Sequence, residues 1–280
     1  MYRNILVHVP TERPVRPVID VAISLAAARR SHLDAIAIGY ESMGALGMVV
    51  EGGSAAVAAV MGVESERAQE RADAAISIFA IEAKLANIAY GTRTLVAIPA
   101  EAEEPVGELA RLYDLTVVLQ PETSLSSYDN IIPQAILFNS GGPMLMVPYI
   151  HKGPLDMRHV GIAWDGSRLA ARALRDALPF MTSVEMVTVI TVNEDRHDLG
   201  EASSDQVVNH LARRGIKARI ERVTADRDNV QGTILSIAAD NSIGLLAMGG
   251  YGHSRLKELI LGGVTRAMFD SMTVPVLMSH

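Results

Sequence analysis

A length of 280 residues leaves room for about two domains of ordinary size. A hydrophobic content of 49% with no cysteine excludes a disordered chain, a disulfide framework, a thiolate metal site and a cysteine nucleophile. The net charge of −7 argues against a nucleic-acid binder, whose affinity rests on Lys and Arg neutralising phosphates. That charge is uneven: residues 1–150 hold 10 basic against 17 acidic side chains, and residues 151–280 hold 15 of each. The second half is therefore the less repulsive host for an anion.

The chain opens MYRNILVHVP, with no apolar core or cleavage site of a secretory leader, so no signal peptide and a cytoplasmic location are expected. In the first half, short apolar runs predict strands near 4–9, 33–40, 93–98, 115–120 and 143–148, and helical periodicity begins at 15–30. Residues 43–63 carry five glycines and Glu51. A membrane span needs about 20 predominantly apolar residues without such a carboxylate, so this stretch reads as a mobile Gly/Ala loop leading into a helix. His151-Lys152-Gly153-Pro154 supplies the breakers of a short linker. Beyond it, strands are predicted near 158–164, 184–192, 217–223, 243–248 and 274–279, with helices near 167–180, 203–214, 228–240 and 263–271.

The two halves repeat one another. Asn4-Ile5-Leu6-Val7-His8-Val9 matches His159-Val160-Gly161-Ile162-Ala163-Trp164 at the openings, and Phe138-Asn139-Ser140 matches Phe269-Asp270-Ser271 before the closing strands. Near-continuous apolar strands alternating with helices imply parallel sheets covered on both faces. The expected fold class is α/β, with two tandem open five-stranded parallel-sheet α/β sandwiches of Rossmann-like type. The domains are residues 1–150 and 151–280. Open sheets of this kind bind ligands beyond the carboxyl ends of their strands.

Two strand ends in the second half carry unusual residues. In Ala163-Trp164-Asp165-Gly166-Ser167, Asp165-Gly166 is a turn and Ser167 a helix cap on one reading. On the other, Asp165 accepts hydrogen bonds from a ligand's ribose or amino group, and both readings stay open. The second end is Met248-Gly249-Gly250-Tyr251-Gly252-His253-Ser254, followed later by Gly262-Gly263-Val264-Thr265. Glycines after a buried strand let the backbone approach a ligand, and consecutive N–H groups there form an anion nest. A glycine pair then opens the last helix, whose N-terminus is a further anion site. Neither a Walker A loop nor Gly-x-Gly-x-x-Gly is present.

The spacing Gly249-x2-Gly252-x9-Gly262, after Met248 and before Val264-Thr265, resembles the nucleotide-binding signature of the universal stress proteins. The openings and closing Val274-Pro275-Val276-Leu277 are similar to the same family, and the arrangement resembles its tandem type. The resemblance implies ATP across the carboxyl edge of the second sheet. Asp165 would hold the adenosine, Ala163 and Trp164 would line the base pocket, and Val192 would meet adenine through its backbone. Met248 would close the strand, and Gly249, Gly252, Gly262, Gly263, Val264 and Thr265 would line the phosphates. Family members usually carry Ser or Thr where Gly263 stands; its loss leaves ADP, AMP or a weaker ATP complex as alternatives, with or without magnesium. In the first half Pro10 stands for Asp165, and Leu119-Gln120-Pro121-Glu122-Thr123 for Met248-Gly249-Gly250-Tyr251-Gly252. Proline lacks an N–H and Glu122 repels phosphate, so that half is expected to be degenerate and without ligand.

No His-Glu-x-x-His zinc motif and no Gly-x-Ser-x-Gly nucleophile elbow occurs. No group that would orient an attacking water is evident, so the expectation is a non-enzyme, a slow ATPase aside. The leading function is a stress-response module that binds an adenine nucleotide and regulates unknown protein partners. The alternative is a nucleotide-independent interaction protein of the same fold. The resemblance further implies that the closing strands, near 143–147 and 274–279, pair edge to edge as an internal pseudo-dimer. A homodimer of whole chains is left open, and no membrane or nucleic-acid partner is expected.

Overall fold

The protein is described by a computed structural model covering residues 2–41, 53–194, 200–250 and 263–280. The first half runs β1 (Asn4–His8), α1 (Arg16–Arg29), β2 (His32–Tyr40), α2 (Gly53–Leu85), β3 (Tyr90–Ala97), α3 (Pro99–Ala110), β4 (Leu115–Leu119), α4 (Ile132–Asn139) and β5 (Met144–Val147). The second runs β6 (His159–Ala163), α5 (Arg168–Ala177), β7 (Met186–Val192), α6 (Ser204–Ala212), β8 (Ala218–Val223), α7 (Val230–Asp240), β9 (Leu245–Gly249), α8 (Gly263–Asp270) and β10 (Val276–Ser279). The two-unit α/β architecture expected from the strand pattern is the one observed.

All ten strands join one sheet in the order β3-β2-β1-β4-β5-β10-β9-β6-β7-β8. Each half is a parallel, doubly wound unit. The chain reverses its direction of travel between β1 and β4, and again between β6 and β9. The halves meet where β5 and β10 pair antiparallel, with Leu145 opposite Leu277, Met146 opposite Val276 and Met144 opposite Met278. All six side chains are buried. Alternation sends Leu145 and Leu277 into the core under α1, α2, α5 and α6. Their neighbours Met144, Met146, Val276 and Met278 enter the core under α3, α4, α7 and α8. Both cores therefore run unbroken across the seam.

Contacts outside the sheet add to the join. Leu155 of the linker is buried, and its N–H donates to Ser24 Oγ at 3.0 Å. Arg29, at the end of α1, donates to the carbonyl of Phe180 at 3.0 Å. The Tyr2 hydroxyl donates to the carbonyl of Asp176, and its ring meets Phe180 edge-on at 5.3 Å.

One expected element is corrected. The Gly/Ala stretch 43–63 was expected to be loop, yet from Gly53 onward it is the first three turns of α2. Its alanines, at 55, 56, 58 and 59, are the strongest helix formers, and they outweigh the isolated Gly62; residues 42–52 lie outside the described residues. Helix α2 then lies so close to β2 that a Cβ on Gly39 would stand 2.0 Å from the Ala68 carbonyl oxygen. Among the described residues, no helix is long and apolar enough to cross a membrane.

Candidate functional site

At the reversal between β6 and β9, two neighbouring strands send their connections to opposite faces, and a crevice opens beyond their carboxyl ends. It holds a cavity of about 340 Å³. Its floor is apolar: Ile190 and Val192 come from β7, Met248 from β9, and Val230 and Ile234 from one face of α7. The rims are Ala163 at the end of β6 with Trp164 and Asp165 after it, Gly249 at the end of β9, and Gly263, Val264 and Thr265 in the first turn of α8. Nine of the eleven residues singled out from the sequence thus line one cavity. Gly252 and Gly262 lie outside the described residues, as do Tyr251 and His253.

Each rim residue is placed by a local cause. Trp164 donates its backbone N–H to the carbonyl of Ile190 at 2.8 Å, extending the ladder one step past β6. Its indole belongs to the core under α5 and α6, where Nε1–H donates to the Ala202 carbonyl at 2.8 Å. Both sequence readings of Asp165 hold in part. Gly166 adopts φ +75°, and Asp165 Oδ1 accepts the Ser167 N–H at 2.9 Å, which closes the turn. Ser167 caps α5 by accepting the Ala170 N–H at 3.1 Å. The Asp165 carboxylate is nonetheless exposed and lines the cavity.

Val192 is placed by ladder parity. Ile190 faces β6, and Asn193 donates its N–H to Val223 on the β8 side. The backbone N–H and C=O of Val192 therefore face β6, beyond the point where β6 ends. They offer one donor and one acceptor to whatever fills the crevice. The end of β7 is held by the Asn193 side chain, whose Oδ1 accepts from Ala225 N–H and whose Nδ2 donates to Ala225 O. Next to it, burial pushes the Glu194 carboxyl up, but the N–H and hydroxyl of Ser204 and the Arg222 guanidinium hold it below the usual carboxylate range.

Gly249 is glycine for a packing reason. A Cβ there would stand 2.8 Å from the backbone of Leu169 and Ala170, in the first turn of α5. Gly263 is different: among the described residues, a Cβ there meets nothing within 4 Å. Sequence reasoning missed Val230, Ile234, Ile190, Leu169 and Ala170, which also line the cavity. The 230, 234 and 237 spacing on α7 was the available signal, but it reads equally as a core-facing stripe.

At the matching strand ends of the first half, buried charged side chains bond to the backbone. Register corrects the sequence alignment by one residue, making Gln120 the counterpart of Gly250 rather than of Gly249: Gln120 donates its N–H to Val147 O at 2.7 Å as Gly250 does to Ser279 O at 2.8 Å. Asp129, buried, accepts the N–H groups of Thr11 and Glu12 at 3.1 and 2.9 Å. The guanidinium of Arg13, also buried, donates to Gln120 O at 2.5 Å, to Asn130 Oδ1 at 3.1 Å and to Glu122 Oε2 at 3.1 Å. Tyr149 lies under it, with the Arg13 Cζ 5.7 Å from the ring centroid. Beside them His8 Nε2 stands 3.7 Å from Asp129 Oδ1. Burial pushes the His8 imidazole down to about 3 and the Asp129 carboxyl up to about 6.

Comparison with known proteins gives a consistent picture. Residues 157–280 match the Universal stress protein family. A universal stress protein of Synechocystis sp. is 30% identical over 123 residues, a match covering 41% of this chain and 40% of that protein. The chain thus spans about two fifths of that relative's length. Across the whole chain, a universal stress protein from Archaeoglobus fulgidus superposes with a TM-score of 0.68 at 16% identity, covering 98% of this chain and 95% of the other. A Pseudomonas aeruginosa protein of unknown function superposes with a TM-score of 0.63 at 15% identity, covering 99% and 92%. At such identities the superpositions establish a shared fold. Residues 157–280 thus match the universal stress protein family, and the first half repeats the same α/β fold.

Proposed function

We propose that the second half binds one adenine nucleotide in the crevice between β6, β7, β9 and α8, and that the protein acts as a cytoplasmic stress-response module whose protein contacts depend on that occupancy. The observation that carries this reading is the chemistry of the cavity. An apolar slot made by Ile190, Val192, Val230, Ile234 and Met248 suits a flat base. The backbone edge of Val192 can pair with a base that offers one acceptor and one amino group, as adenine does. Asp165 stands at the opposite rim, where a ribose hydroxyl would donate to it. Among the described residues nothing stands within 4 Å of a Cβ on Gly263 at the start of α8, where N–H groups without helical partners favour an anion. The group therefore fits the residues present.

The first half is read as ligand-free, because Arg13, Asp129 and Asn130 bond to the backbone at its strand ends that would otherwise meet a ligand. Calorimetry with ATP and ADP tests the reading. One site per chain is expected. Asp165→Ala should weaken binding about tenfold, since a hydrogen bond to a charged group contributes roughly 1.5–3 kcal/mol, and Gly252→Val should weaken it too. Two sites per chain, no binding, or an unaffected Asp165→Ala would overturn it.

A further inference from the structure

We propose that the first half acts on this crevice directly: across the seam, Leu137 and Gln120 are positioning residues that hold its two walls. The inference rests on the nucleotide reading above but concerns side chains that line no part of the cavity.

The first wall is the end of β9. Where the chain leaves the sheet at Gly250, four groups close around one residue. Its N–H donates to Ser279 O at 2.8 Å, and its carbonyl accepts from His280 Nδ1 at 3.1 Å. The His280 ring is itself set edge-on against Phe138 of α4, with centroids 5.0 Å apart. A Cβ on Gly250 would meet the two methyls of Leu137, also on α4, at 3.3 and 3.4 Å. Two of these four restraints come from the first half. Gly250 is buried and adjoins Gly249, which lines the cavity. Its place in space therefore fixes the end of β9, where Gly249 lines the cavity.

The second wall is α8, whose first turn lines the cavity. Its far end is held by Gln120, which is buried and donates from Nε2 to the Phe269 carbonyl at 3.1 Å. Register makes Gln120 the counterpart of Gly250. The two contacts are thus the same contact viewed from either half, each half's post-strand residue resting on the other's last helix. In the half where that residue is a glycine, the crevice stays open. In the other, a longer side chain reaches over to steady the neighbour. Helix α8 has only eight residues, about 12 Å of length, so a displacement at Phe269 is carried to Gly263 with little loss.

The test uses the full chain and two variants, Leu137→Ala and Gln120→Leu. Gln120→Leu deletes the amide donor but leaves the backbone bonds of residue 120 in place. Amide exchange of Gly250 and of the α8 backbone is measured in the unliganded proteins by NMR, and ATP affinity by calorimetry, at a temperature where circular dichroism is unchanged. Leu137→Ala should speed exchange at Gly250, and Gln120→Leu should speed it in α8. The amides of β8, at the far edge of the sheet, serve as the control that a general loss of stability would move. Kd for ATP should rise fivefold or more in each variant, the range of measured site-to-site couplings, and Leu137→Met should restore it. Unchanged exchange at Gly250 and α8, or unchanged Kd with exchange accelerated, overturns the proposal. Absence of ATP binding in the parent protein would instead sink the nucleotide reading, and the exchange measurement then decides the buttress alone.

Discussion

Leu145 and Leu277 offer the sharpest test of how the halves are joined. The two face each other across the only antiparallel pair in the described sheet, and neither retains any exposed surface (0% each). Leu145→Ala or Leu277→Ala removes three buried carbons and leaves a cavity that the two parallel half-sheets cannot close without sliding. Such truncations cost roughly 2–5 kcal/mol, and the full burial predicts about 3 here. Because each variant abolishes the same mutual contact, the double variant should fall short of the sum by about 1 kcal/mol. Leu145→Asp and Val276→Asp go further. Each replaces a buried side chain by an unpaired carboxylate, and the expected loss of about 5 kcal/mol or more rivals the whole stability of a typical domain. Urea unfolding reads this out with two probes. Circular dichroism reports both halves, whereas the single tryptophan, Trp164, reports the second alone. The parent should unfold with coincident transitions, and the Asp variants with separated ones. Singles that cost less than about 1 kcal/mol, strictly additive singles, or Asp variants with coincident and unshifted transitions would refute a seam that stabilises both halves.

Gly263→Ser should strengthen ATP binding several-fold in calorimetry without bringing turnover near the common enzymatic value of about 10 per second, since no described residue stands within 4 Å of a Cβ there; fast turnover would overturn the non-enzyme reading. Gly39→Ala should destabilise by about 3 kcal/mol or more in urea melts, because the clash is with the Ala68 backbone rather than a movable side chain, and a change under 1 kcal/mol would show that α2 shifts freely. The His8–Asp129 pair sets a pH dependence with opposing signs. Asp129 has a folded pKa raised to about 6, so the folded state takes up a proton as pH falls through that value and gains stability. His8 has a folded pKa lowered to about 3, so the unfolded chain takes up its proton first and stability is lost below the ordinary imidazole range. Asp129→Asn deletes the gain alone. Between pH 7 and pH 5 the variant should therefore lose about 1 kcal/mol more than the parent, and equal losses in urea melts at the two pH values would refute the assignment.

The strands were legible in the sequence because a parallel strand covered on both faces must be apolar at nearly every position, as Leu115–Leu119 and Leu245–Gly249 are. The start of α2 was not, because glycine signals and alanine signals overlap at 52–62, and the pattern alone does not tell which of the two prevails. In the site, the glycines were found by their spacing, but the packing reason for Gly249 was not visible: it answers to the first turn of α5, 80 residues earlier. Val230 and Ile234 were invisible for a different cause. An apolar helix face looks the same in sequence whether it meets a core or a ligand slot. The bond from Gln120 to Phe269 spans 149 residues, and no local pattern encodes a partner at that distance.

The shared sheet also changes what a substitution means. In a symmetric homodimer each mutation is written twice, so a change that closes one crevice closes both, and a change at the interface meets its own image. Here the two sides of the β5–β10 pair are encoded separately. A residue such as Gln120 can lengthen on one side while its counterpart remains glycine on the other, and the seam between them need only stay complementary, not identical. One half was thereby free to place Arg13 and Asp129 at its strand ends while the other kept glycines there.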